Sequence, residues 1–166
     1  LRSPHKYFTK GVTFSHTGNY SPTYRLGSAA LFDMAGSTIF TEVETVNVFE
    51  LVSVLSSKLI RYAFKTYTNT SVNASEDPLK LIQISFNLHV DLQNHVNSII
   101  QKQKANPHYD YASNEQLEID RLVYEAYGLN EDDIREVENW YARRYPALAT
   151  AQRANLERKL AAEGNS

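Results

Sequence analysis

The stretch Asn47-Val48-Phe49-Glu50-Leu51-Val52-Ser53-Val54-Leu55, continuing to Tyr67, is where the chain changes its hydrophobic period. Val48, Leu51, Val52, Leu55, Leu59, Tyr62 and Ala63 recur at intervals that place them on one face of a helix. Asn47 stands where a cap is needed, and Glu50, three residues on, completes the pattern of a capping box. Ile60, Phe64 and Tyr67 widen the apolar side, so the spacing predicts one helix over residues 47–67, packed on a sheet. The sheet is expected upstream. Residues 5–46 read as β-structure with turns: Val12, Phe14, Tyr20, Tyr24, Leu31, Phe32, Ile39 and Phe40 favour strands, and Gly11, Gly18-Asn19, Pro22, Gly27 and Gly36 punctuate them. The run from Ala29 to Met34 has the character of a strand covered on both faces.

Downstream of the pivot, Asn69 to Pro78 reads as a polar loop and Leu79 to Leu88 as a further apolar strand. Residues 89–105 read as a helix with Leu92, Val96, Ile99 and Ile100 on its buried side, stopped by Asn106-Pro107. Ser113 with Gln116 has the form of a capping box, Ile119, Leu122, Val123 and Ala126 follow at helical spacing, and Gly128 supplies a left-handed stop. Asn130 opens the next helix. Glu131, Asp132 and Asp133 crowd its positive end, Ile134, Val137, Tyr141 and Tyr145 form its stripe, and Arg143 and Arg144 sit at its negative end before Pro146. An Ala/Arg/Glu-rich stretch over 149–162 predicts a further helix or a frayed tail. The expected class is α+β: a β-rich module with a packed helix over residues 1–88, an all-helical part over 89–148, and a tail over 149–166.

Composition narrows the function classes. The chain has 166 residues, 42% of them hydrophobic and 22% charged, which fits a globular protein. Cysteine is absent, which removes disulfides, thiol nucleophiles and thiolate metal sites. No run approaches the ~18 apolar residues of a membrane span, and no leader precedes the β-rich part, so no membrane partner and a cytoplasmic location are expected. The chain opens at Leu1, which predicts a fragment of something longer. The net charge of −2 is unevenly spread: residues 1–87 hold eight basic and six acidic residues, the remainder nine and thirteen. No GxGxxG, phosphate loop, HExxH or GxSxG occurs. His5, His16, His89, His95 and His108 are scattered, and His89 and His95, six apart, fall on different sides of one helix, so no metal site is expected. The acids of 110–138 read as caps and solvated faces. No catalytic, cofactor-binding or metal-binding residue is assigned, and the chain by itself is not expected to be an enzyme.

What remains is a binding surface. From Lys10 to Arg25 the chain is rich in hydroxyls, amides and aromatics: Thr13, Ser15, His16, Thr17, Asn19, Tyr20, Ser21, Thr23 and Tyr24. Such groups suit base edges, with Lys10 and Arg25 available for phosphates or guanine. Composition alone favours a turn-rich β-segment whose hydroxyls cap its own backbone. Lys58, Arg61 and Lys65 share one face of the expected helix and suit either a phosphate backbone or a solvated surface.

Two stretches carry a resemblance. Tyr109-Asp110-Tyr111-Ala112-Ser113-Asn114-Glu115-Gln116, then Ile119 to Leu129 and Glu131 to Pro146, resembles the C-terminal end of adenine-specific DNA methyltransferases of the combined methylase–endonuclease, type II restriction–modification kind. Val96 to Lys104 is similar too. Lys10-Gly11-Val12-Thr13-Phe14-Ser15 resembles the opening of their target-recognition domain, Phe32-Asp33-Met34-Ala35-Gly36-Ser37-Thr38-Ile39-Phe40 a second landmark, and Leu51 to Phe64 the helix that follows. The likeness spans roughly residues 6–148. Residues 16–25 lack the family's usual Gly/Ser-rich run, and 79–86 lack its proline-containing strand. The family's methyl-donor loop and its Asn-Pro-Pro-aromatic motif, which grips a flipped adenine, do not occur here.

The resemblance implies sequence-specific recognition of double-stranded DNA, with S-adenosylmethionine serving a parent enzyme and a separate N-terminal catalytic domain as neighbour. The implied DNA-binding residues are Lys10, Ser15, His16, Thr17, Asn19, Tyr20, Tyr24, Arg25, Lys58, Arg61 and Lys65. The helical part is expected to pack on the recognition module or the catalytic domain, with Trp140, Tyr141 and Tyr145 either as anchors or as a small internal core. The alternative from another class is a protein-interaction module that docks a restriction or translocase subunit.

Overall fold

Three short strands carry the β-part of the chain: β1 (Val12–Phe14), β2 (Tyr24–Leu26) and β3 (Thr38–Ile39). They form an antiparallel sheet in the order β2-β1-β3. The computed structural model describes residues 4–18, 20–27, 37–42, 46–68, 71, 74, 76–84 and 91–164. The chain is α+β and divides into two compact units, Leu1–Leu88 and His89–Ser166.

In the first unit, alternation sets the two faces of the sheet. Val12 pairs with Leu26 and Phe14 with Tyr24, and of these Val12, Phe14 and Tyr24 are buried; Thr13 pairs with Arg25 on the other side, where Arg25 is exposed. Gly11 makes the approach of β3 possible, because a Cβ there would lie 2.6 Å from Thr38 Cγ2 and 2.7 Å from the Ile39 carbonyl oxygen. The inner face is covered by α1 (Val48–Ser56), which buries Leu51, Val52, Val54 and Leu55. Burying such a side chain contributes ~1.5–3 kcal/mol. The expected capping box is present. Asn47 Oδ1 accepts from the N–H groups of Phe49 and Glu50, both at 2.9 Å, and Glu50 Oε2 accepts from the Asn47 N–H at 3.0 Å.

The single helix expected over 47–67 is broken at Ser57. That residue is extended (φ −65°, ψ 155°) and fully buried. Its hydroxyl donates to the Val54 carbonyl at 2.7 Å and accepts from the Ile60 N–H at 3.3 Å, so one side chain ends α1 and caps α2 (Lys58–Ala63). A π-helical turn, Phe64–Thr68, follows. The break rotates the apolar stripe. Ile60 and Phe64 are buried, whereas Leu59, Tyr62 and Ala63 are half-buried.

The strand expected over Leu79–Leu88 is not found in its described part. Glu76–Lys80 is a short helix, α3, with Pro78 tolerated in its first turn. The N–H groups of Leu81 and Ile82 bond to Pro78 and Leu79 carbonyls, satisfying the backbone locally, and Leu81 is 69% exposed. Residues 85–88, and the strand expected over Ala29–Met34, lie outside the described residues.

The second unit is helical: α4 (Asp91–Ala105), α5 (Glu115–Ala126), α6 (Glu131–Arg144) and α7 (Pro146–Glu163). Leu92 and Val96 of α4, Ile119, Leu122, Val123 and Tyr124 of α5, and Val137, Trp140 and Tyr141 of α6 are buried. Helix α5 ends on Gly128 (φ 65°). The Gly128 N–H reaches the Glu125 carbonyl and the Leu129 N–H the Tyr124 carbonyl, both at 3.0 Å, which is a complete Schellman stop. Asn130 then caps α6 with Asp133 as its reciprocal partner.

Two boundaries differ from expectation. The capping box of Ser113 with Gln116 does not form. Asn114 is the residue before the helix and makes no side-chain cap, the Ser113 hydroxyl is buried without a hydrogen-bond partner, and Gln116 Nε2 donates to Asp120 Oδ1 at 3.2 Å. The turn is held instead by Asp110 Oδ1, which accepts from the Ser113 N–H at 3.1 Å. The stretch over 149–162 is a docked helix that begins at Pro146. Gln152 and Asn155 are buried. Gln152 Nε2 donates to the Ala112 carbonyl at 2.7 Å, and Asn155 Nδ2 donates to the Ser113 carbonyl and, at 2.9 Å, to Asn114 Oδ1.

Candidate nucleic-acid interface

The residues expected from the sequence to contact DNA fall in four places, one of them the helical stretch with Lys58, Arg61 and Lys65. Ser15, His16, Thr17 and Tyr20 lie on the connection between β1 and β2, Lys10 lies before β1, and Arg25 is central on β2. Five residues of extended chain, about 17 Å, separate Lys10 from Ser15. Lys10 and the connection are therefore at opposite ends of the hairpin, with Arg25 between them. Asn19 lies outside the described residues.

Part of the connection is occupied with its own backbone. Ser15 Oγ accepts from the Thr23 N–H at 2.9 Å, Ser21 Oγ donates to the Pro22 carbonyl at 3.3 Å, and Thr13 Oγ1 donates to the Arg25 carbonyl at 3.4 Å. His16 Nε2 is 2.9 Å from Ser37 Oγ and its ring is 5.3 Å from that of Phe14, tying the connection to the end of the sheet. Thr17, Tyr20, Lys10 and Arg25 are exposed. Lys10 and Arg25 make no ion pair among the described residues.

Two expectations about this surface need correction. Tyr24 points into the core, where it is 7% exposed and its hydroxyl has no hydrogen-bond partner among the described residues. Burial pushes its pKa well above the ordinary tyrosine value, against the opposing charge of Arg61. An alternating strand that turns Arg25 outward must turn Tyr24 inward. The cations of the helix do not form an open face either. Lys58 is 3% exposed, because the break at Ser57 rotates α2 and carries Lys58 into the interior. Arg61 Nε donates to the Ser56 carbonyl at 3.0 Å, capping the end of α1, and Lys65 Nζ donates to the Ser71 carbonyl.

No family model, curated protein or solved structure matches the chain.

The second unit holds the strongest polar cluster of the described residues. Glu115, at the first position of α5, accepts from Lys102 Nζ (2.6 Å), Ser98 Oγ (3.1 Å) and the Tyr109 hydroxyl (3.0 Å to Oε2). Burial works to raise the Glu115 pKa; the bonds from Lys102, the Glu115 N–H, Tyr109 and Ser98 outweigh it and hold the carboxyl below the usual range. Nearby on the same helix the buried Tyr124 donates to Glu138 Oε1 at 2.9 Å. Desolvation raises the Tyr124 pKa, and the carboxylates of Asp120 and Glu138 raise it further. These groups join helices to one another. Among the described residues no group of three or more His, Asp or Glu side chains is placed to hold a metal ion.

Sequence reasoning missed Phe8. It is 66% exposed and has φ 61°, in the left-handed region that bulky residues rarely adopt. The pattern Lys6-Tyr7-Phe8-Thr9-Lys10, aromatics between two cations, is the signal that marks it.

Proposed function

We propose that the first unit reads double-stranded DNA as the specificity part of an adenine-N6 methyltransferase or restriction enzyme whose catalytic domain lies outside this chain. The observation that carries the reading is the exposed side of the β1–β2 hairpin. There Lys10 and Arg25 have no acidic partner among the described residues, and Thr17 and Tyr20, on the connection at the far end of the hairpin from Lys10, are exposed. Unpaired cations answer phosphates, and hydroxyl and aromatic side chains answer base edges. The likeness of Lys10–Ser15 and of the helical tail to the methyltransferase family supports the same reading.

Among the described residues no group is placed to hold S-adenosylmethionine. A nucleoside cofactor is usually held by a glycine-rich turn with an acid open to its ribose. Glu115 is closed over by Lys102, Ser98 and Tyr109, Asp120 is 2% exposed on α5, and Gly11 and Gly128 serve a strand approach and a helix stop. No methylation step is therefore assigned to this chain. Among the described residues no helix is long and apolar enough to cross a membrane.

The test is titration of the full chain against a fluorescent duplex of about 25 base pairs between ~50 and ~200 mM salt. Binding is expected to weaken steeply with salt, and the double variant Lys10→Ala/Arg25→Ala to lower the log–log slope by about two. Salt-independent binding, or none, refutes the reading. A second reading, docking of a protein subunit by the helical unit, is favoured by Leu156 and Leu160, which are one turn apart on α7 and 49% and 59% exposed. Light scattering of the chain, alone and with duplex, separates the two: self-association that ignores DNA favours docking.

A further inference from the structure

The segment from Lys6 to Gly11 is pinned at both ends and displays what lies between. Lys6 Nζ pairs with Glu42 Oε1 at 2.9 Å and sits 5.7 Å from the centre of the Phe40 ring. At the other end the Gly11 carbonyl accepts from the Gly27 N–H at 2.8 Å, and Gly11 itself is packed against Thr38 and Ile39. A turn, closed by the Thr9 N–H on the Lys6 carbonyl at 3.2 Å, bends the chain between these anchors. Phe8 is in that turn with φ 61° and most of its ring in water.

Both features of Phe8 are unfavourable for the chain alone. A left-handed backbone is strained for a bulky residue, and it persists only where the surroundings over-determine it, as the two anchors do here. An exposed ring forgoes the burial that normally stabilises an aromatic. The charges beside it say what kind of surface covers it. Lys10, two residues on, is exposed and makes no ion pair among the described residues, and Arg25 lies two residues from Gly27, the partner of Gly11. One two-residue repeat of strand, about 7 Å, brings Arg25 toward the same end of the hairpin. The complementary surface is anionic on its flanks and flat and apolar at its centre. A base step between two phosphates has that character, and apolar side chains enter such steps as wedges that unstack and kink the duplex.

We propose that Phe8 is a wedge that stacks into a base step of duplex DNA, with Lys10 and Arg25 on the neighbouring phosphates. The inference rests on the DNA reading above, and it adds deformation of the duplex to simple contact.

The experiment uses the full chain, an end-labelled duplex of about 25 base pairs for bending by energy transfer, and the same duplex carrying 2-aminopurine as a stacking reporter. Phe8→Gly removes the ring and is compatible with φ 61°, so it leaves the fold intact; Phe8→Leu keeps an apolar side chain and checks the role of the ring. The wild-type chain is expected to shorten the end-to-end distance and to raise 2-aminopurine fluorescence at one step. Phe8→Gly is expected to bind about tenfold more weakly, still salt-dependently, with bending and reporter signal lost; Phe8→Leu is expected to retain part of the bend. Binding by wild type with neither signal, or with signals that Phe8→Gly preserves, overturns the wedge and leaves the DNA reading standing. No duplex binding overturns both. Cosedimentation with phosphatidylserine vesicles that depends on Phe8, in the absence of duplex bending, assigns the ring to a lipid surface and also overturns the wedge.

Discussion

Replacing Glu115 tests how the helical unit is held together. Its carboxylate is 7% exposed and joins α4 to the start of α5 through Ser98, Lys102 and Tyr109. A hydrogen bond to a charged group is worth ~1.5–3 kcal/mol, but the cost of burying the charge offsets much of the total. Lys102, half exposed, rehydrates when its partner is removed. Glu115→Ala is therefore expected to destabilise the unit by about 2 kcal/mol at neutral pH. Because folding lowers the pKa of Glu115, its contribution is complete above the ordinary carboxylate pKa and is lost as the pH falls through the lower folded value. The difference between wild type and Glu115→Gln should thus shrink on acidification toward about pH 3. Trp140, the only tryptophan, is in this unit, so urea unfolding followed by its fluorescence reports the right transition. A penalty under ~0.5 kcal/mol at neutral pH, or one unchanged near pH 3, refutes the account.

Three other substitutions probe local features. Gly128→Ala forces a Cβ onto a left-handed residue and is expected to cost ~1 kcal/mol or more in the same fluorescence assay. Gly11→Ala drives a methyl into Thr38 and Ile39, so it should abolish amide protection of Phe14, whose N–H bonds to the Ser37 carbonyl, before it affects α1; hydrogen exchange read residue by residue checks this. Ser57→Ala removes the hydroxyl that serves two helix ends and is expected to lower stability by ~1–2 kcal/mol, measured by denaturant unfolding of the first unit through far-ultraviolet dichroism.

The parts legible in the sequence are those where a local rule has one outcome. Asn47 with Glu50, Asn130 at the start of α6, and Gly128 each act on backbone within four residues, and all three form as read; the reciprocal bond of Asp133 to Asn130 is added by the structure. Where a local rule competed with packing, the reading slipped. Ser57 is the same residue type as its neighbours Ser53 and Ser56, so nothing local marks it as the break that accompanies the burial of Ile60 and Phe64. That break decides the fate of Lys58, which periodicity assigns to a solvent face. Ser113 does not cap because the Gln116 N–H that its hydroxyl would accept from already bonds to the Tyr111 carbonyl at 3.1 Å, while its own N–H goes to Asp110. Of the candidate surface, strand alternation at Thr13 and Arg25 was readable in principle, and it carries the burial of Tyr24 with it. The aromatics between Lys6 and Lys10 mark Phe8 in the sequence, but its display depends on anchors at Glu42, Phe40 and Gly27, distant along the chain.

The grip of α7 on the turn before α5 gives the helical unit a particular order of assembly. Gln152 reaches back 40 positions and Asn155 reaches 41 and 42. During synthesis the turn at 112–114 leaves the ribosome long before the amides that seal it. Until those amides emerge, three carbonyl and amide oxygens there must rely on water. Nicking the chain between α6 and α7 should consequently loosen a site far upstream of the cut, a behaviour closer to that of a latch than of a frayed end.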